Sequence, residues 1–315
     1  GMARSRARLW AGTQTLDADV AAVSGEQVRA MSNAGILQIS RDLSGGVESL
    51  EAAIGIGRRT GDRLFEIIAT GNLMRSHLFT GRWEEMERIG RDAVGISPSV
   101  DPDVHALFAT LRSWQGRPAG EHLAALADWQ ASDDLERRFI ARSAEGAVGV
   151  AEGRYDDALA VGPAAVREGL EVLGPSSETM RHLWPDTVEA ALAVGRLDIA
   201  SEMVELLAAK PRGWVAPYLR AELHRAKGLL FAAADEQERV EAELLAGIEA
   251  LRELRYPYPL GRALLDLAAW LGSRGRGAAA ASAIEEAVAV LEPLGTSRAL
   301  ARASELRVAS APAVA

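Results

Sequence analysis

A short pattern returns along this chain at near-constant distance. "GRYDDAL" at 153–159, "GRWEEME" at 81–87, "GRLDIAS" at 195–201 and "GRGAAAA" at 275–281 each set Gly-Arg before a run that opens a helical pattern. "GGVESLE" from Gly45 and "GRPAGEH" from Gly116 are fainter copies, and "DEQERVE" from Asp235 is a degenerate one. The starts at 45, 81, 116, 153, 195, 235 and 275 lie 35 to 42 residues apart. A period of this length marks a supersecondary unit that cannot bury its apolar face alone and must stack on its neighbours.

Prolines keep the same beat. Pro98, Pro211 and Pro293 follow their starts by 17, 16 and 18 residues, and Pro175 and Pro257 follow theirs by 22. Because proline cannot continue a helix, each is expected to end the second helix of a unit. Between these marks Leu264, Leu267, Ala268 and Leu271, and again Ile284, Val288 and Leu291, recur at the spacing of one helical face. No alternating strand pattern competes, so the expected fold is all-α, each unit running helix, turn at the glycine, helix, stop. Ala158, Ala200, Ala279 and Gly228 fall where the two helices of a hairpin cross, and Trp83 and Tyr155 are expected to pack inside their hairpins.

This spacing, with small, aromatic and proline residues at their stations, resembles the tetratricopeptide repeat (TPR). The segment 224–306 is similar to the C-terminal helical-repeat region of bacterial signal-transduction ATPases of the MalT and LuxR type and of class III adenylate cyclases. The resemblance implies a right-handed α-solenoid, a superhelix of about seven TPR-like hairpins. Its span is 26–309, after an N-terminal segment 1–25 read as one extra helix or a partly disordered stretch, and before a disordered tail 310–315. The period runs to 42 rather than the usual 34, and Pro118 follows Gly116, so the early units are expected to be distorted.

In such superhelices the first helix of each unit lines the concave surface. That places Arg75, Arg112, Arg142, Arg181, Arg225 and Arg262 one per unit as groove candidates, together with Trp114 and His182. Facing inward they would form a positive ladder suited to a peptide carboxylate or another anion. Facing outward they would be ordinary solvated arginines in a chain where 33 of the 35 basic residues are arginine. Tyr218, Tyr256 and Tyr258, with the tryptophans, are either aromatic anchors of that groove or core.

Several function classes lose support. The net charge of −9 disfavours direct nucleic-acid binding, and the absence of cysteine removes disulfides and thiolate chemistry. Gln14, Asp17 and Asp19 interrupt the stretch where a secretion leader needs an apolar run, and no apolar run is long enough to span a bilayer; a cytoplasmic location with no membrane contact is expected. Asp156 and Asp157 could serve as an acid pair, but Ala160 stands where a third carboxylate would be needed, and their place fits the start of a helix. "GIGRRTG" at 55–61 spaces its glycines too widely for a dinucleotide fingerprint, leaving Gly61 as a helix C-cap. His77, His105, His122, His182 and His224 include no i, i+4 metal pair. Hence no catalytic residue, metal or cofactor is assigned. The expected role is a non-catalytic interaction module that binds a protein or peptide in its concave groove, in bacterial signalling or transcription regulation. The alternative is a small-effector sensor domain of a signal-transduction ATPase or cyclase; a helical enzyme is the third class.

Overall fold

The structure, a computed structural model, describes residues 30, 34, 35, 43–94 and 101–309. The expected segments 1–25 and 310–315, and Pro98, lie outside the described residues. Among the described residues there are fifteen α-helices and no strand, so the chain is all-α. The chain falls into two compact units: one holds 82–104 and the residues before 79, the other holds 79–81 and the residues from 105 onward.

The first unit contains α1 (Leu43–Thr60), α2 (Arg63–Thr80) as far as Leu78, α3 (Trp83–Ala93) and the start of α4 (Asp101–Gln115). Leu50, Ala53, Ile54, Ala69 and Leu73 form its core, with Val47 and Ile89 packed against them. Trp83, Met86, Gly90 and Ala93 are the buried residues of α3, all on one helical stripe, and the Trp83 indole donates to the Leu78 carbonyl at 2.8 Å. Glu66 is buried, and Arg58 and Arg63 hold its carboxylate at 2.8 and 3.0 Å.

The second unit continues with α5 (Gly120–Ala124), α6 (Ala127–Gln130), α7 (Leu135–Ala151), α8 (Tyr155–Val172), α9 (Met180–Ala193) and α10 (Leu197–Ala208). It closes with α11 (Pro217–Ala233), α12 (Gln237–Leu254), α13 (Pro257–Ser273), α14 (Gly277–Leu291), a 3-10 turn at Glu292–Leu294 and α15 (Ser297–Ala309). From α7 onward each helix packs against the next, and α9, α11 and α13 also pack in succession, as do α8 and α10.

The repeat is a series of helix C-caps. At Gly61, Gly81, Gly116, Gly153, Gly195 and Gly275 the backbone takes φ between 71 and 76°, the left-handed conformation that costs a residue with a Cβ. The next N–H then reaches back five residues: Arg82 to His77, Arg117 to Arg112, Arg154 to Gly149, Arg196 to Ala191 and Arg276 to Leu271, at 2.8 to 3.0 Å. Asp235 takes the same conformation without being glycine, φ 62°, and Glu236 donates to Phe231 at 2.9 Å. Asp156 and Asp157 occupy the first turn of α8, where Arg154 pairs with Asp157 at 2.8 Å.

Some expectations move. Gly45 sits inside α1, and the turn of that unit is at Gly61. After Gly116 the expected single helix is broken into α5 and α6, with Leu126 buried at the joint; Pro118 ahead of it lacks an N–H and cannot continue a helix. Pro175 and Pro211 follow the ends of α8 and α10 and Pro293 lies in the 3-10 turn, but Pro257 opens α13. Pro163 and Pro185 lie inside α8 and α9, so proline is not always a stop here. Ala158 and Ala200 are buried and Gly228 lies against Leu244, but Ala279 of α14 is only half-buried, while its neighbour Ala280 is fully buried. Tyr155 is only half-buried.

Within the second unit, residues distant in sequence close on one another. The Ser297 hydroxyl donates to the Gln115 carbonyl at 2.9 Å across 182 positions. A Cβ on Gly116 would come within 3.1 Å of Arg298 Cγ, and one on Gly81 within 2.8 Å of Pro257 Cγ and 2.9 Å of Leu294 Cδ2.

Candidate functional site

The helices α9, α11 and α13 each carry a polar and aromatic stripe at helical spacing. These are His182, Asp186 and Glu189 on α9, Tyr218, Glu222 and Arg225 on α11, and Tyr258, Arg262 and Asp266 on α13. Contacts between the stripes place them on one interior of the second unit. There the Phe79 ring lies between those of His182 and Tyr256, both centred 5.1 Å away and roughly parallel to it, and that of Tyr218 at 4.9 Å. Trp114 meets Phe79 edge-on and stacks on Tyr258 at 4.4 Å. The Arg181 guanidinium stands 5.5 Å over Phe79, near enough for a cation–π attraction.

Beside the rings lies an ionic network. Arg225 donates to Asp266 at 2.6 Å and to Glu222 at 3.1 Å, and lies 3.4 Å from Glu189. Arg262 is also paired with Glu189, and Arg302 of α15 holds the other oxygen of Asp266 at 2.7 Å. Burial raises the Asp266 carboxyl, but Arg225 and Arg302 more than offset this and hold it below the usual range. For Glu222 burial prevails over Arg225 and the shift is upward. Burial pushes Asp186 up to about 7, against the pull of Arg262. Oδ2 of Asp186 is buried and accepts no hydrogen bond.

An arrangement of this kind is costly as mere packing, because desolvating charges offsets much of what their pairing gains. Clusters of buried ionisable and aromatic groups with shifted proton affinity are enriched at functional sites.

The structure brings together Trp114, Arg181, His182, Arg225 and Arg262 from the sequence candidates. Trp114, Arg181 and Arg225 are buried, and Arg181 lies 3.3 Å from Glu178. The others stand elsewhere. Arg75 pairs with Asp103 at 2.5 Å in the first unit, Arg112 bonds Gln115 on its own helix, and Arg142 lies 3.9 Å from Glu168 on α8. Phe79, Asp186, Glu189, Glu222 and Asp266 were not singled out by sequence. The available signal was register: Glu222 is one turn before Arg225, Asp266 one turn after Arg262, and Asp186 one turn after His182.

Two features lie apart from this interior. His105 and His122, 17 residues apart, meet Nδ1 to Nδ1 at 2.9 Å, and burial first, then the His105 charge, lowers His122. A groove of about 500 Å³ runs between α12 and α14 over Leu264, Leu267 and Leu271. No group of three or more metal-ligating side chains occurs among the described residues, nor any helix long and apolar enough to cross a membrane. No family model matches the chain, and no curated protein matches it.

Proposed function

We propose that this chain is a non-catalytic, TPR-like regulatory module of bacterial signalling or transcription control, and that it senses a small effector at the inner face of its second unit. The observation that carries this reading is the enclosed stripe of rings and charges contributed in register by α9, α11 and α13. The enclosure favours a small effector over a peptide: Trp114, Arg181, Tyr218, Glu222, Arg225 and Tyr256 are all buried, so an extended chain has no open surface along them. The stacking of α7 with α8, α9 with α10, α11 with α12 and α13 with α14, with glycine or Asp235 at the turns, supports an array of helical hairpins of the TPR kind within that unit. The resemblance of 224–306 to the helical tails of signalling ATPases and cyclases supports the regulatory setting.

A thermal-shift screen of small metabolites against the full chain tests the reading. A stabilising compound is expected, with its effect lost in Glu222→Gln and Arg262→Gln. Stabilisation only by a protein partner, with binding unaffected by those variants, would return the function to a peptide or protein scaffold.

A further inference from the structure

We infer that residues 119–131 form an acid-released flap, latched to the second unit by the contact between His105 and His122 and let go when both imidazoles carry a proton. The flap lies apart from the rings and charges of α9, α11 and α13, so the inference does not depend on the effector reading.

The body of the flap is α5 and α6, helices of five and four residues. Helices this short hold few bonds of their own and keep their shape through what they pack against. Ala119, His122 and Leu126, three and four residues apart, are the buried stripe of the flap, while Glu121, Ala124, Ala125, Ala127 and Asp128 are exposed. Ala119 and Leu126 pack with Ala106 and Ala109 of α4 and with Ala141, Ala144 and Val148 of α7. An apolar side chain would complete that stripe at the least cost. The chain instead places an imidazole there, buried at 8% exposure, and its Nδ1 meets Nδ1 of His105 on α4 at 2.9 Å.

A bond between two imidazole nitrogens needs one proton and one lone pair. With both rings neutral one Nδ1 donates and the other accepts, and with one ring protonated the same bond persists and gains from the charge. With both protonated there are two donors and no acceptor, and two cations stand in contact where burial weakens the screening by water. The surroundings do not relieve this. Phe108 of α4 lays its ring 5.3 Å from that of His122, Arg112 of α4 adds a like charge, and the Glu121 carboxylate, 3.6 Å from Nε2, is itself largely exposed. From α7 the residues packed against the stripe are apolar. Glu145 of α7, which accepts from Gln130 of α6, is raised by burial, so it favours the closed flap as pH falls and opposes the histidines. In the open flap both imidazoles return to their ordinary value near 6.5. Below that pH the open form binds two protons where the closed pair holds one, and the opening constant rises by up to about tenfold per pH unit. Opening uncovers the apolar face made by Ala106, Ala109, Ala141, Ala144 and Val148.

Hydrogen exchange of the full chain, read by mass spectrometry and corrected for the pH dependence of the chemical step, follows the opening. Between about pH 7 and about pH 5 the opening constant of 119–131 is expected to rise by about tenfold or more, while α10 keeps its protection. His105→Gln removes the conflict without removing the bond, because an amide donates to a neutral imidazole and accepts from a protonated one. The rise should vanish there, and any remaining trend should run the other way through Glu145. His122→Leu completes the apolar stripe and should hold the flap closed at both pH values. A rise that persists in these variants, or one shared equally by α10, would assign the opening to general acid weakening and overturn the latch. No rise in the unaltered chain overturns it as well. Should circular dichroism show one variant unfolded, comparison of the unaltered chain with the other decides.

Discussion

At Asp186 the carboxyl sits among rings and charges with Oδ2 unbonded, and burial keeps its proton on up to about pH 7. An acid that binds its proton more tightly in the native state loses native stability as pH rises, here from the unfolded value near 3.8 to about 7. Asp186→Asn removes that titration. Urea unfolding should show the variant gaining on the wild type between about pH 5 and 8, by an amount on the order of 2 kcal/mol. A gap that stays constant with pH would refute this account of the site. His77, in the first unit, has the opposite sign. Burial first, then the Arg82 charge, lowers it to about 4, and its Nδ1 is buried without a hydrogen bond. A base depressed in the native state keeps its stability above the unfolded pKa of 6.5 and loses it as pH falls toward 4. His77→Leu is expected to flatten the acid limb of the melting-temperature profile over that interval.

At the scale of the element, the turns set the rhythm and their backbone sets the residue. Nothing lies within 4 Å of a Cβ placed on Gly195, so Gly195→Ala tests the left-handed conformation alone, and a loss of about 1 to 2 kcal/mol in chemical unfolding is expected. Asp235 holds the equivalent place with φ 62° and a Cβ. Asp235→Gly should therefore stabilise, by about 0.5 to 1 kcal/mol, whereas a fall would mean that the Asp235 side chain, which accepts from Gln237 at 3.0 Å, contributes more than its conformation costs. Most of the glycine caps were legible in sequence because each depends on a few adjacent residues, whereas Gly45 lies inside α1 and Pro257 opens α13 instead of only ending α12. The break of the helix after Gly116 was only half legible: Pro118 announced a distortion, while the split into α5 and α6 depends on burying Leu126 with Ala106, Ala141 and Val148 of neighbouring helices.

For the molecule as a whole, what matters is which distant residues meet within a unit. Gly116 has the same φ as Gly195, yet its Cβ would also run into Ser297 and Arg298. Gly116→Ala should thus lower the melting temperature by more than Gly195→Ala, and the excess measures the contact between the ends of the second unit. Equal losses would mean that Ser297 and Arg298 yield freely. The same scale explains the candidate site. Arginines on α9, α11 and α13 could be placed on first helices from the repeat alone, and Trp114 and His182 beside them. Their partners could not, because Arg225 meets Asp266 across 41 residues, Arg302 meets Asp266 across 36 and Arg181 meets Tyr256 across 75.

The sequence by itself determined an all-α chain and most of the places where its helices turn, though not at Gly45, which lies inside α1, since left-handed caps, proline and the 3.6-residue period act over a few positions. Only the tertiary structure decided that the inward arginines are neutralised by the chain's own carboxylates, that Phe79 lies within a group of rings, and that Asp186 keeps an unbonded buried oxygen. Charge pairing and burial depend on distances between elements far apart in the chain, and a one-dimensional pattern carries the residues but not those distances.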